Sequence, residues 1–340
     1  MTFAELFPRL TQGGAPDIRH VRAAFDAILA GEWTPVQVGA FAVALRLLGE
    51  STEAIVAGAE ALRGTMTVVA TEAEGVLGTC GTGGDSSGTL NLSTAAAIVA
   101  AARGVPVAKH GNRSVSSRCG SADVIEALGV PIDVAPELQA AVLAEAGIAF
   151  LFAPMHHPAL KHAALARREL GVRTIFNALG PLANPAKATH QLVGVYDDAL
   201  RSVFAHALAR LGVDRAWVVR GEDGLDEVSP CGPTRVSELD GGVVRERVVS
   251  PEDFGLTRMA PTSIAGADAT ANAGAIETIL RGQRHPARDA VILNAAAALV
   301  VARRLLPAEA AAAAREALDD GSAWERLEKW RRATRRTKGP

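Results

Sequence analysis

Several clusters in this sequence combine glycine, small hydroxyl residues and charge in a way that suits phosphate. The longest is Gly78-Thr79-Cys80-Gly81-Thr82-Gly83-Gly84-Asp85-Ser86-Ser87-Gly88-Thr89-Leu90-Asn91-Leu92-Ser93-Thr94, entered by Val76-Leu77 and followed by the alanine-rich segment Ala95 to Ala102. Glycines let a ligand approach backbone amides closely, and the first turn of the following helix leaves unpaired donors in a favourable dipole. Asn91, Ser93 and Thr94 offer helix-capping side chains. The stretch reads as an anion cradle, or more plainly as a strand-to-helix turn. It lacks the Gly-Lys-Ser/Thr of a Walker loop, and Ser86 stands where a dinucleotide fingerprint needs its third glycine. Gly84-Asp85-Ser86-Ser87-Gly88 matches the nucleophile-elbow string, but helix-like sequence starts only near Ser93, and only His285 follows Asp226 as a base, which argues against a serine hydrolase.

Further along, Lys109-His110-Gly111-Asn112-Arg113-Ser114 is a dense set of donors after an apolar run, with Lys109 a point charge suited to phosphate. Cys119-Gly120-Ser121-Ala122-Asp123 is a second glycine turn opening a helix. Arg167 and Arg168 are adjacent on a helical segment and cannot share one face, so one is expected to face a site and the other solvent. The adjacent His156-His157 lacks the i,i+4 geometry of a helical metal pair. Arg173 to Pro185 reads as an apolar loop, punctuated by Gly180-Pro181 and Asn184-Pro185, that could wall a pocket for a flat ring. Gly224-Leu225-Asp226-Glu227-Val228-Ser229-Pro230 carries two consecutive carboxylates. Such a pair suits magnesium, which takes one or two carboxylates plus water and phosphate, if it faces the cradle; otherwise it is an acidic surface turn.

The elements that must position these residues follow from periodicity. Residues 1 to about 72 read as helices only: Ile18, Val21, Phe25 and Ile28 recur at helical spacing, Thr34-Pro35-Val36-Gln37 is a capping box, and a further helix spans about Thr52 to Arg63. From Val76 onward short strands alternate with helices, the pattern of a largely parallel sheet covered on both faces. Expected strands are 76–79, 106–109, 149–152, 191–195 and 216–220, with a hairpin-like pair at 235–239 and 243–248. Expected helices are 93–102, 122–128, 137–145, 159–170, 199–211, 268–280, 288–304 and 323–335. Ligands of such sheets bind at the carboxyl ends of the strands, which gathers the loops above into one place.

At 340 residues, 49% hydrophobic and 21% charged, the chain can bury a large core and is expected to form one large domain plus a smaller one. The net charge of -2 gives no reason to expect a nucleic-acid partner. The basic tail 331–338 reads as a solvated helix end. No apolar run reaches the roughly 18 residues of a membrane span, and acidic residues interrupt any signal-like region in 1–30, so a cytoplasmic location is expected. Cys80, Cys119 and Cys231 lie far apart and are expected to be reduced thiols.

Taken together, Gly81-Thr-Gly-Gly-Asp85, Asn91-Leu-Ser-Thr94, Lys109-His-Gly-Asn-Arg113, Arg167-Arg-Glu-Leu-Gly171, Phe176-Asn-Ala-Leu-Gly-Pro-Leu182 and Asp226-Glu-Val-Ser-Pro230 resemble the signatures of the anthranilate phosphoribosyltransferase family, in the family's order and over nearly the whole chain. The resemblance implies an α/β fold with a small all-helical domain, 1–72 completed by about 157–185, hinged to a large α/β domain, 73–156 and 186–340, whose mostly parallel central sheet is flanked by helices. It also implies a homodimer, with phosphoribosyl pyrophosphate and anthranilate as substrates and Mg2+ as cofactor. Carried over residue by residue, Ser93, Asp226 and Glu227 are implied to hold the metal. Gly81, Gly84, Asp85, Thr89, Asn91, Leu92, Ser93, Thr94, Lys109, His110, Gly111, Asn112, Arg113, Ser114, Val115, Ser116, Ser117 and Ser121 surround the phosphoribosyl donor. Gly81, Asn112 and Arg167 are implied to hold anthranilate, with Arg167 meeting its carboxylate. An aromatic amine is a neutral nucleophile, so no general base is assigned; His110 is the one candidate for such help. Two relatives of the fold, a pyrimidine nucleoside phosphorylase and a noncatalytic nucleic-acid-binding protein, are disfavoured by the Lys109-His110-Gly111-Asn112-Arg113 run and the near-neutral charge.

Overall fold

Alternating apolar side chains on short strands determine how this chain layers. The computed structural model describes residues 2–11, 17–83, 87–114 and 118–337. Four helices come first: α1 (Phe3–Thr11), α2 (Ile18–Leu29), α3 (Pro35–Leu48) and α4 (Thr52–Thr65). The expected capping box starts α3, with Gln37 N–H donating to Thr34 Oγ1 at 3.4 Å and Thr34 N–H to Gln37 Oε1 at 2.9 Å. Then follow β1 (Leu77–Gly81), α5 (Leu92–Ala102), β2 (Val107–Gly111), α6 (Ser121–Ala127), α7 (Gln139–Ala146), β3 (Ile148–Phe152), α8 (Ala153–His156), α9 (Lys161–Leu170) and α10 (Ile175–Leu182). The chain continues through β4 (His190–Gly194), α11 (Ala199–Arg210), β5 (Arg215–Gly221), β6 (Thr234–Asp240) and β7 (Val243–Val249), and closes with α12 (Ala269–Leu280), α13 (Arg288–Arg303), α14 (Pro307–Asp319) and α15 (Ser322–Arg336).

The seven strands form one sheet in the order β3-β2-β1-β4-β5-β6-β7. The first five are parallel, and β6 and β7 add an antiparallel hairpin at one edge. Successive side chains on a strand point to opposite faces. Leu192, Trp217 and Val219 therefore join a core built with α5, α13, α14 and α15. Their neighbours Val193, Ala216 and Val218 join a second core shared by α11 and the helices α2, α3, α4 and α10. The N-terminal helices thus pack with α9 and α10 rather than standing apart. Phe176 meets Phe25 edge-on at 5.7 Å, and Gly58 leaves no room for a Cβ, which would lie 2.8 Å from the Phe25 ring and 2.9 Å from Leu179.

Three expectations need correction. The stretch 173–185 is not a loop: its centre is α10, a helix opened by Asn177 Oδ1 accepting from Thr174 N–H at 3.1 Å. Asn91 stands at the N-cap of α5, but no side-chain cap bond forms there, because its amide is engaged elsewhere. The basic tail is only partly solvated: Arg331 is largely buried, donates to the Leu128 carbonyl at 2.5 Å and pairs with Glu277 and Glu328. Among the described residues no disulfide joins Cys80, Cys119 and Cys231, in keeping with reduced thiols. Among the described residues no single helix is long and apolar enough to cross a membrane.

Candidate active site

The strand order reverses at β1, with β2 and β3 on one side and β4 and β5 on the other. Loops leaving the carboxyl ends of β1 and β4 therefore diverge and open a crevice. Gly81 and Gly194 face each other there in register. Both must be glycine because the acidic loop lies directly over them. A Cβ on Gly194 would come within 1.5 Å of the Asp226 carbonyl oxygen, and one on Gly81 within 2.6 Å of Asp226 Oδ2. The same Oδ2 accepts the Gly83 N–H at 3.0 Å, tying the acidic loop to the glycine-rich one. Thr82 crosses between the two strands, its N–H bonded to Gly194 O at 2.9 Å and its hydroxyl accepting from Tyr196 N–H at 3.1 Å.

Beneath this crossing lies a buried cation. Lys109, near the end of β2, is 1% exposed, and its ammonium donates to Thr79 O at 3.0 Å and Ser93 Oγ at 3.1 Å. Burial lowers its pKa from the ordinary lysine value, and the Glu227 carboxylate, with a smaller contribution from Asp226, opposes that shift. Ser93 lies in the first turn of α5, and its N–H donates to Glu227 Oε1 at 3.1 Å. Sequence positions 93, 109, 226 and 227 thus meet at one point. The neighbouring Cys80 thiol is pushed up to about 12 by burial and stays protonated.

The donor set bears on a metal. Asp226, Glu227 and Ser93 supply only hard oxygens, and among the described residues no group of three or more His, Cys, Asp or Glu side chains converges to make a closed cage. Two carboxylates and a hydroxyl fit magnesium, which keeps several waters and takes its remaining ligands from phosphate. Ser93 Oγ accepts from Lys109 and still has a second lone pair to offer.

The wall after β2 is sewn to the start of α6. Ser121 Oγ donates to Asn112 O at 3.3 Å, and a Cβ on Gly111 would stand 2.2 Å from that hydroxyl. Asp123 accepts from Ser114 N–H at 3.1 Å and Gly120 N–H at 2.9 Å. Arg113 turns outward to Asp123 and Glu126 at 2.9 and 3.0 Å, while Asn112 Oδ1 accepts from the Arg113 N–H. His110 is buried, with Nδ1 3.0 Å from the Gly180 carbonyl and its ring 4.9 Å from that of His157. Burial lowers His110 to about 3 and His157 to about 4, so both rings are neutral near pH 7.

Asn91 braces the far side of the cradle. Its amide donates to Cys119 O at 3.3 Å and accepts from Asn272 Nδ2 at 3.0 Å. Thr89 pairs with Ala265 in an isolated bridge, Leu92 is buried, and Thr94 is buried with its hydroxyl lacking a protein partner. On α9 the structure half-buries Arg167 and exposes Arg168. Burial lowers the Arg167 pKa, and the guanidinium makes no ion pair among the described residues, which leaves this half-buried cation able to meet an anion. Gly84, Asp85, Ser86, Val115, Ser116 and Ser117 lie outside the described residues.

Two contributors escaped the sequence reading. Arg173 donates to Gly83 O at 2.8 Å and stacks over Tyr196, 4.2 Å from the ring centroid. It stood at the edge of a stretch read as loop. Asn272 sits in the first turns of α12, where its buried, poorly helix-forming side chain is the available signal.

Residues 4–66 match the helical bundle domain of a glycosyl transferase family, and residues 73–324 match that family's a/b domain. An anthranilate phosphoribosyltransferase of Methylobacterium radiotolerans is 50% identical over 334 residues, 98% of this chain and 96% of its own. The crystal structure of anthranilate phosphoribosyltransferase from Thermus thermophilus superposes with a TM-score of 0.91 at 41% identity, covering 97% of this chain and 99% of that one. The Saccharomyces cerevisiae enzyme in complex with PRPP (phosphoribosyl pyrophosphate) and Mg has a TM-score of 0.90 at 27% identity, covering 98% and 99%. With both domains matched in order, and with sequence and fold alike over nearly the full length, this chain belongs to the anthranilate phosphoribosyltransferase family.

Proposed function

We propose that the protein transfers the phosphoribosyl group of phosphoribosyl pyrophosphate to the amine of anthranilate, giving N-(5-phosphoribosyl)anthranilate and pyrophosphate, a step of tryptophan biosynthesis. The observation that carries this reading is the convergence of Asp226, Glu227, Ser93 and buried Lys109 beside the glycine-rich loop at the switch point of the sheet. Full-length similarity to named anthranilate phosphoribosyltransferases supports it. The test follows anthranilate fluorescence with phosphoribosyl pyrophosphate and magnesium present. Fluorescence should fall with stoichiometric release of pyrophosphate. Unchanged fluorescence with an intact, folded protein would contradict the assignment.

In the reaction the amine nitrogen bonds to C1 of the ribose as the bond from C1 to the pyrophosphate oxygen breaks, and the amine then loses a proton. Charge gathers on the leaving group while the ribose passes through an oxocarbenium-like state, so fixed positive groups around the pyrophosphate lower the barrier. Lys109 supplies a fixed charge, prepositioned by Thr79 O and Ser93 Oγ. The glycine-rich loop and the turns at 109–117 and 121 are read as enclosing the donor, with Gly81, Gly84, Asp85, Thr89, Asn91, Leu92 and Thr94 among the residues that surround it. Asp226, Glu227 and Ser93 would hold Mg2+, which when bound neutralises pyrophosphate charge. Arg167 is read as the partner of the anthranilate carboxylate, with Asn112 and Gly81 beside it; a charge-assisted contact of this kind contributes about 1.5–3 kcal/mol. His110, neutral near pH 7, then orients rather than ionises.

The division into a small helical unit, 1–72 with about 157–185, and a large α/β unit belongs to the same reading, as does a cytoplasmic site of action. A homodimer is favoured by α3, where Val36, Val43 and Leu47 form an exposed apolar row along one face that a second copy would cover.

A further inference from the structure

We infer that Asn294 is a positioning residue for the acid pair: its buried amide fixes the backbone immediately behind Asp226-Glu227 and thereby sets where those carboxylates stand relative to Ser93. The inference rests on the reading of Asp226, Glu227 and Ser93 as the metal-holding group.

Asn294 lies in the middle of α13 with no exposure to solvent, among the apolar Leu293 and Ala295 to Ala298. A buried amide must place its donors and acceptor or lose their hydration uncompensated. Here Oδ1 accepts from Val228 N–H at 3.0 Å, while Nδ2 donates to Val228 O at 3.0 Å and to Ala290 O at 3.0 Å. The side chain thus grips both polar groups of one residue, the residue directly after Glu227. From the opposite side the loop is pressed on Gly194, whose missing Cβ admits the Asp226 carbonyl. One position further on, Ser229 N–H is held by Thr234 Oγ1 at 2.8 Å.

The same helix reaches the other half of the site. α13 packs along α5, whose first turn carries Ser93, and Ser93 N–H bonds Glu227 Oε1. One rigid element therefore carries both the anchor of the acid loop and the support of the hydroxyl. Groups that orient metal-binding carboxylates matter to affinity nearly as much as the ligands, and their loss typically weakens metal binding about 10- to 100-fold.

The test uses Mn2+ as the probe, its binding read by electron paramagnetic resonance in the presence of phosphoribosyl pyrophosphate and without anthranilate, on the full chain. Asn294→Ala should weaken Mn2+ binding about tenfold. It should raise the KM for phosphoribosyl pyrophosphate and leave that for anthranilate unmoved. Asn294→Asp, whose buried carboxyl has the same shape and can still accept from Val228 N–H, should recover part of the affinity, and it decides the matter if the alanine variant does not fold. Gln139→Ala removes a buried amide that holds the Val134 and Phe150 carbonyls, and should lower Tm without changing Mn2+ affinity. Folded Asn294 variants with wild-type Mn2+ affinity would overturn the inference alone, as would an equal shift in Gln139→Ala. Wild-type protein that fails to bind Mn2+ with phosphoribosyl pyrophosphate would overturn the metal reading and this inference with it.

Discussion

Lys109 places a lysine ammonium, 1% exposed, at the floor of the crevice. It is buried and paired with a carbonyl and a hydroxyl; burial lowers its pKa, and the Glu227 and Asp226 carboxylates oppose that shift. Lys109→Met keeps the bulk and removes the charge, and should lower kcat about 10²- to 10³-fold, the range for losing one preorganised donor to a developing anion. Steady-state kinetics at saturating substrates would check this. Arg167→Ala should raise the anthranilate KM about 10- to 100-fold, from a contact of about 1.5–3 kcal/mol, while the KM for phosphoribosyl pyrophosphate stays put. The reverse pattern would remove Arg167 from the acceptor site. Lys109 is legible in the sequence because phosphate chemistry needs lysine, glycine and hydroxyls at strand ends, whereas the role of Arg167 comes from the family resemblance. Gly194 was not singled out, since nothing local to it reveals that Asp226, more than thirty positions later, lies against its α-carbon. Arg113 matched a donor motif, yet its guanidinium is committed to Asp123 and Glu126, a partnership set by the placement of α6.

At the scale of elements, the short apolar runs located every strand to within a few residues, because the parallel strands bury apolar side chains in one or both of the two cores. It failed for α10, where Gly180-Pro181 suggested a loop. Pro181 lies in the last turn, so it removes one backbone bond at a helix end rather than breaking the interior. That helix and the connection before it matter for function, because Arg173 precedes it and bridges Gly83 O to the ring of Tyr196. The Tyr196 hydroxyl in turn accepts from Arg46 of α3 at 2.9 Å. Arg173→Ala should raise the KM for phosphoribosyl pyrophosphate several-fold by releasing the glycine-rich loop. Tyr196→Phe keeps the stacking surface and loses one hydrogen bond, so it should cost about 1 kcal/mol of stability and leave that KM nearly unchanged. Thermal melts and donor titrations on both variants separate the two roles.

Across the whole molecule, three buried histidines sit where the N-terminal helices, α10 and the sheet come together. His156 Nδ1 bonds the Thr67 carbonyl at 2.9 Å in the segment after α4, His110 reaches Gly180, and His157 packs on His110. Burial depresses His110 to about 3 and His157 to about 4, so the folded state excludes protons that the unfolded chain binds below about 6.5. Their effect on stability is absent above that pH and grows unfavourable as pH falls toward the folded values. Between pH 6.5 and 5 each costs on the order of 2 kcal/mol. Tm should therefore drop on acidification from pH 7 to 5, and His157→Gln should lose less over that interval than the wild type. An equal drop in both would contradict the placement of His157 as a buried neutral ring.

The proposed chemistry requires pyrophosphate and metal to meet in the crevice between β1 and β4. Anomalous diffraction from crystals grown with Mn2+ and phosphoribosyl pyrophosphate tests that most directly. A manganese peak is expected beside the Asp226 and Glu227 carboxylates and Ser93, with the pyrophosphate reaching toward Lys109. A peak elsewhere on the chain, with those carboxylates facing protein alone, would contradict it.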